Sequence, residues 1–171
     1  MSDKPNACGT CTACCRVYAV PELNKPAGPW CQHCIVGKGC AIYEKRPQLC
    51  VDYQCLWLQS QGRADPRERL GDELRPDRCK VVFSPIARGD MSTDPNMMAA
   101  TTMPGAPDAW RRPAAKKLID RMTDAGMRVV VGPPATLRKL LVDARGEQEI
   151  EMTAPDANGM QWSRPERESE P

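Results

Sequence analysis

The chain of 171 residues carries 24 basic and 22 acidic side chains, a net charge of only +2. That balance argues against the strong field that nucleic acid or an anionic membrane would require. Hydrophobic residues make up 41% but aromatic ones only 5%, with a single phenylalanine, Phe83, and a chain so short of large core side chains gains from a cross-link, by metal or by disulfide.

Residues 1–7 read as a short flexible lead. Met1 to Asn6 has no apolar stretch of the kind a signal peptide needs, and no window nears eighteen apolar residues, so neither export nor a membrane span is expected. The expected compartment is a reducing cytosol, where thiols stay free or hold metal. Cys8-Gly9-Thr10-Cys11-Thr12-Ala13-Cys14-Cys15 then places four thiols in eight residues, and the small residues between them suit a tight turn. Val17 to Val20 reads as a short β run closed by Pro21. A loop rich in proline and glycine leads to Trp30-Cys31-Gln32-His33-Cys34 and Gly37-Lys38-Gly39-Cys40.

Pro47 suits the start of a helix. Leu49, Tyr53, Leu56/Trp57 and Ser60 repeat at helical spacing as far as Gly62. One unbroken helix would set Cys50 and Cys55 roughly 140° apart around its axis, so they would meet different neighbours unless the helix breaks between them. Residues 63–79 read as a polar connector with one short helical turn.

Beyond Cys79 the cysteines stop and β-branched runs begin. Lys80 to Phe83 reads as a strand ended by Pro85, and 97–102 as a weaker one. A helix from about Pro113 to Ala125 would place Ala114, Leu118, Met122 and Ala125 on one face, with Gly126 as its C-terminal cap. Met127 to Val131 follows as a buried strand. Residues 136–143 and 147–152 flank Ala144-Arg145-Gly146 as a hairpin. The tail reads as polar and disordered. The fold expected is α+β, a cysteine-rich, metal-stapled N-terminal module followed by a small mixed sheet with one main covering helix. The divisions are 1–62 for the module, 63–79 for the connector, 80–153 for the α+β part and 154–171 for the tail.

Thiolates at i and i+3 close on one ion because the turn between them aims both sulfurs inward, and tetrahedral zinc sites are commonly built from two such pairs. Cys8/Cys11, Cys11/Cys14 and Cys31/Cys34 have this spacing. Cys14 and Cys15 are adjacent, and neighbouring side chains diverge, which suggests two close centres or one multinuclear cluster. The candidate ligands are Cys8, Cys11, Cys14, Cys15, Cys31, Cys34, Cys40, Cys50 and Cys55. Two four-ligand sites would use eight of these nine. An even total of ten cysteines permits disulfides, but the spacing and the absence of an export signal favour metal.

Cys8-x-x-Cys11-x-x-Cys14 also matches the opening of a bacterial ferredoxin run. The match fails at the next step, where Cys15 is adjacent and Arg16 follows. Sulfur ligands suit zinc or iron–sulfur alike. A structural zinc contributes on the order of 10 kcal/mol to folding, which would offset the sparse core and favours zinc. His33 reads as pointing away from the ion. Met91, Met97, Met98 and Met103 read as core or partner-facing residues rather than thioether ligands, and Cys79 as an ordinary buried thiol. Arg46 and Lys45 could balance thiolate charge, but Arg46 reads first as a local structural residue.

Cys8-x-x-Cys11-x-x-Cys14-Cys15, followed by Gly39-Cys40-Ala41-Ile42-Tyr43-Glu44-Lys45-Arg46-Pro47-Gln48-Leu49-Cys50, resembles the bacterial YkgJ-type CxxCxxCC cysteine cluster family, described as zinc- or iron-chelating. The resemblance covers residues 8–55. It implies that Cys8, Cys11, Cys14, Cys15, Cys40 and Cys50 are ligands, joined by a cysteine of the 31/34 pair. The family usually carries an arginine and then an aromatic residue after its last motif cysteine. Here Val51-Asp52-Tyr53 keeps the aromatic and lacks the arginine.

The function expected is chelation of zinc, two ions, with the metal mainly structural and the α+β part binding an unknown protein partner. The alternatives are an iron–sulfur redox protein or enzyme subunit, holding iron or an Fe–S cluster, and a metal delivery or storage protein. Whether the chain is an enzyme stays open, and an independent hydrolase or transferase is the less favoured reading. There is no G-x-S-x-G, phosphate-binding glycine loop or H-E-x-x-H, and His33 is the only histidine. Glu149 and Glu151 read as the solvated face of a hairpin opposite Arg138 and Lys139.

Overall fold

The computed structural model describes residues 8–87, 93–156 and Gln161. The expected lead at 1–7, the tail beyond 161 and Met91 lie outside these residues. The architecture is mixed α+β. A five-stranded sheet runs in the order β3-β4-β5-β6-β7, with β3 at Val81–Ala87, β4 at Thr93–Thr102, β5 at Arg128–Gly132, β6 at Arg138–Asp143 and β7 at Gly146–Glu151. β4 and β5 are parallel, with Met98 opposite Val129 and Ala100 opposite Val131, and the other neighbours are antiparallel. Among the described residues no helix is long and apolar enough to cross a membrane.

The parallel pair needs a crossover, and helix α5, Pro113–Asp124, supplies it. Pro113 sits at its first turn, where a missing N–H costs nothing. Gly126, at φ +82°, ends it, and the Met127 N–H reaches back to the Met122 carbonyl at 3.0 Å, a Schellman closure. The buried face is Ala115, Leu118, Ile119, Met122 and Thr123. It is turned slightly from the expected one, because Ala114 is half-buried and Ala125 is exposed. This face packs on Val81, Phe83, Met98, Ala100, Val129, Val131 and Val142.

β3 continues past Pro85 to Ala87 rather than stopping at the proline. It is an edge strand, where a residue without an N–H is tolerated, and the pairing with β4 shifts between Pro85 and Ala87. In the hairpin of β6 and β7, Arg138 pairs with Glu149 at 3.5 Å with both side chains exposed, so Glu149 lies on a solvated face. Met98 and Met103 are core residues at 6% and 7% exposure.

The cysteine-bearing stretch is built of short pieces. These are α1 at Cys14–Val17, a two-residue hairpin of β1, Cys34–Ile35, and β2, Gly39–Cys40, then α2 at Gln48–Asp52 and α3 at Leu56–Gln61. The expected strand at Val17–Val20 does not form. Val17 ends a helical turn, and Val20 makes only an isolated bridge to Lys25, since an apolar run this short is compatible with either period. The expected helix 47–62 breaks at Tyr53 (ψ 127°) and Cys55 (ψ 162°), and Pro47 caps α2 from outside it. Residues 63–79 form three short helical turns, Pro66–Glu68, Asp72–Leu74 and α4 at Pro76–Cys79. Pro66 and Pro76 start turns instead of breaking them, and Leu74 and Cys79 enter the core.

Both faces of β3 are therefore covered. Leu56, Trp57, Leu70 and Leu74 join the core on the α5 side. Val82, which points the opposite way, packs with Ala13, Val17, Tyr18 and Tyr53, and Tyr18 shares a 2.9 Å hydrogen bond with Ser84.

Candidate metal centre

The CxxCxxCC run winds as consecutive turns, the Cys11 N–H bonding to the Cys8 carbonyl at 3.0 Å and the Cys15 N–H to the Thr12 carbonyl at 3.1 Å. The β1–β2 hairpin is brought against it by backbone contact. The Cys31 N–H meets the Cys15 carbonyl at 2.9 Å, and the Gly37 N–H meets the Thr12 hydroxyl at 3.3 Å. Gly39 has φ +132°, and a Cβ there would stand 3.5 Å from the Gly9 carbonyl oxygen. Glycine permits that dihedral.

The nine expected thiols fall into two neighbouring sets. Cys8, Cys11, Cys14 and Cys55 line one cavity of about 20 Å³, walled by Tyr53, Trp57, Leu58, Pro76 and Val82. The break between α2 and α3 is what turns Cys55 toward the first turn of the chain. Cys15 contacts Cys34. Cys34 lies across the hairpin from Cys40 and within electrostatic reach of Cys31. Cys50 feels Cys15, Cys31 and Cys40. Cys15, Cys31, Cys34, Cys40 and Cys50 thus make the second set. The two meet where Cys14 touches both Cys8 and Cys15. Cys79 stands apart, buried with its sulfur 3.2 Å from the Val81 carbonyl oxygen.

All ten cysteines are free thiols. Among the described residues no three Cys, His, Asp or Glu side chains stand as a ready-made ligand shell. The sulfurs neighbour one another as hydrogen-bonded thiols. Cys14 acts as donor to Cys15 and Cys8 and, with burial added, holds its proton well above the ordinary thiol range. Its hydrogen bond brings Cys8 down to about 7 and Cys15 to about 6, in each case against the opposing effect of burial. Burial pushes Cys55 and Cys34 up to about 11. Thiolate is the form that binds metal, and each set contains one thiol that is already acidic.

Several residues that spacing did not reveal surround the thiols. Lys25 is only 6% exposed, donates to the carbonyls of Arg16 and Tyr18 and lies near Cys31, Cys15, Cys14 and Cys50. Nothing in Asn24-Lys25-Pro26 signals a buried cation. Arg46 stacks on Tyr43 at 3.8 Å and faces Cys8 and Cys40, while its Nε is buried without a hydrogen-bond partner. Its local packing and its position for charge balance coexist. Asp77 contacts the Cys11 thiol and is held by Arg75 through two 2.7 Å bonds. Tyr53 stacks on Tyr18 with centroids 4.9 Å apart and walls the first cavity. His33 lies in the turn between Cys31 and Cys34, where its carbonyl accepts from the Ala41 N–H.

No family model matches the chain, no curated protein matches it, and no solved structure matches its fold.

Proposed function

We propose that the protein chelates zinc, one ion in each thiol set, and that metal staples the front of the chain to the sheet. The observation that carries this reading is the cavity at which Cys8, Cys11 and Cys14 meet Cys55. Four thiols from two distant points of the chain line one cavity, the ligand number of a closed tetrahedral zinc site with Zn–S bonds of about 2.3 Å. A structural zinc held by four thiolates would also offset the sparse core of the front segment. Two fully thiolate-bound zinc ions would carry net negative charge, and Lys25 and Arg46 stand where they offset it. The resemblance of the CxxCxxCC run to the YkgJ-type cluster supports metal chelation, of zinc or iron alike.

The test is elemental analysis and a visible spectrum of protein purified without oxygen. About two zinc ions per chain and no absorption near 400 nm are expected for two closed thiolate sites. A brown protein would turn the assignment to iron–sulfur, and a metal-free protein with the front segment folded would refute chelation.

A further inference from the structure

We infer that the two thiol sets hold zinc for different purposes: the Cys8/Cys11/Cys14/Cys55 ion is a fixed staple, and the ion of the second set is exchangeable cargo. The inference rests on the zinc reading and assigns each set its task.

The first set is backed by the sheet, with its four thiols half-buried. Tyr53, Trp57, Leu58 and Val82 wall it, with Leu58 4% and Val82 1% exposed, and Val82 belongs to the sheet. An ion there sits between the front segment and β3, so its release is coupled to movement of packed structure. The second set lies among side chains that remain in solvent. Ile35 and Val36, directly after Cys34, are 50% and 58% exposed, and Leu49 and Val51, on either side of Cys50, are 47% and 44% exposed. Trp30, before Cys31, is 36% exposed. These five are among the six large hydrophobics still exposed in the described residues, and their exposure leaves the second set open on that side.

Ligand number separates the sets as well. The first has four sulfurs for an ion that needs four. The second has five, so one thiol is always available to replace another. Exchange with an incoming thiol ligand then runs associatively. A new Zn–S bond forms as one of the four existing bonds breaks, and the displaced thiolate takes the proton that the incoming thiol gives up. Zinc stays Zn²⁺ throughout, so no oxidant or reductant is involved.

The test is stopped-flow transfer of zinc from the loaded full chain to an excess of the chromophoric chelator 4-(2-pyridylazo)resorcinol. One equivalent is expected to leave in a fast phase and one at least about tenfold more slowly, because its release waits on opening of packed structure. Cys50→Ser and Cys34→Ser, both beside exposed residues, should slow or abolish the fast phase and spare the slow one. Cys11→Ser should convert the slow phase to a fast one or remove it. Two zinc ions leaving together in one phase would overturn the division of tasks and leave chelation standing, as would a fast phase abolished by Cys11→Ser but untouched by Cys50→Ser. Purified chain holding no zinc would overturn both.

Discussion

Cys55→Ser isolates what the proposed staple contributes to folding. Cys55 is the one member of its set that lies far from the others in sequence. An ion bound by all four therefore closes a loop of roughly 40 residues between Cys14 and Cys55, and a cross-link over that span lowers the entropy of the unfolded chain by about 4 kcal/mol. In the variant the first set keeps only the local turn of Cys8, Cys11 and Cys14, while the second set, from Cys15 to Cys50, still closes its own loop. Guanidinium unfolding followed with and without EDTA should show chelation costing the native protein about 4 kcal/mol more than it costs Cys55→Ser. Serine in place of the thiol alters cavity volume little, so the metal-free forms should differ by less than about 1 kcal/mol. If EDTA shifts both transitions equally, or neither, Cys55 does not close a metal-bound loop.

The Ile119→Ala change removes a side chain with 0% exposure from the centre of α5, and should cost about 2–5 kcal/mol in urea or thermal unfolding while leaving zinc content unchanged. Zinc affinity should fall with pH, because bound thiolates must first lose their protons. In the first set Cys11 and Cys14 are raised, Cys55 lies at about 11 and Cys8 at about 7. Above pH 7 filling this set displaces about three protons, and below it Cys8 adds a fourth. The slope of log affinity against pH should steepen from about three to about four on acidification, measured by chelator competition for the slowly released equivalent. A flat profile would exclude thiolate ligation.

Local chemistry was legible in the sequence where contacts are local. The i,i+3 cysteine spacing marked the turns, and β-branched runs with Gly126 and Ala144-Arg145-Gly146 marked the crossover helix, β5 and the β6–β7 hairpin. Adjacent Cys14 and Cys15 suggested divergence, and the structure places Cys14 on the walled cavity and Cys15 against Cys34. Their membership of a set of four and a set of five was not legible, because it depends on the α2–α3 break. That break follows tertiary demand. Tyr53 leaves helical geometry to stack on Tyr18, a contact across more than thirty positions that no helical period can reveal. Proline misled at Pro85, and Pro76 shows the same rule. Its effect depends on whether its missing N–H was needed, and at Pro76, starting a turn, and at Pro85, on an edge strand, it was not.

The way the front segment holds β3 gives metal removal a consequence beyond the site. Val81, Val82 and Phe83 are at most 3% exposed, although they lie on an edge strand. They are covered because Ala13, Val17, Tyr18 and Tyr53 lie on one face and Leu56, Trp57 and Leu74 on the other. The clamp itself has little core, since Ala13, Val17, Val20 and Leu58 are its only buried hydrophobics among residues 8–62. Burying four small or medium side chains offsets a few kcal/mol at most, against an ordering cost of about 1–2 kcal/mol for each residue fixed. Without zinc the clamp should open and leave an apolar edge strand, which is a template for pairing with other chains. EDTA should therefore raise dye binding and light scattering before the sheet unfolds, and zinc added promptly should reverse both. Chelated protein that stays monomeric, with the β3 amides still protected from hydrogen exchange, would show that apolar contact alone holds the clamp shut.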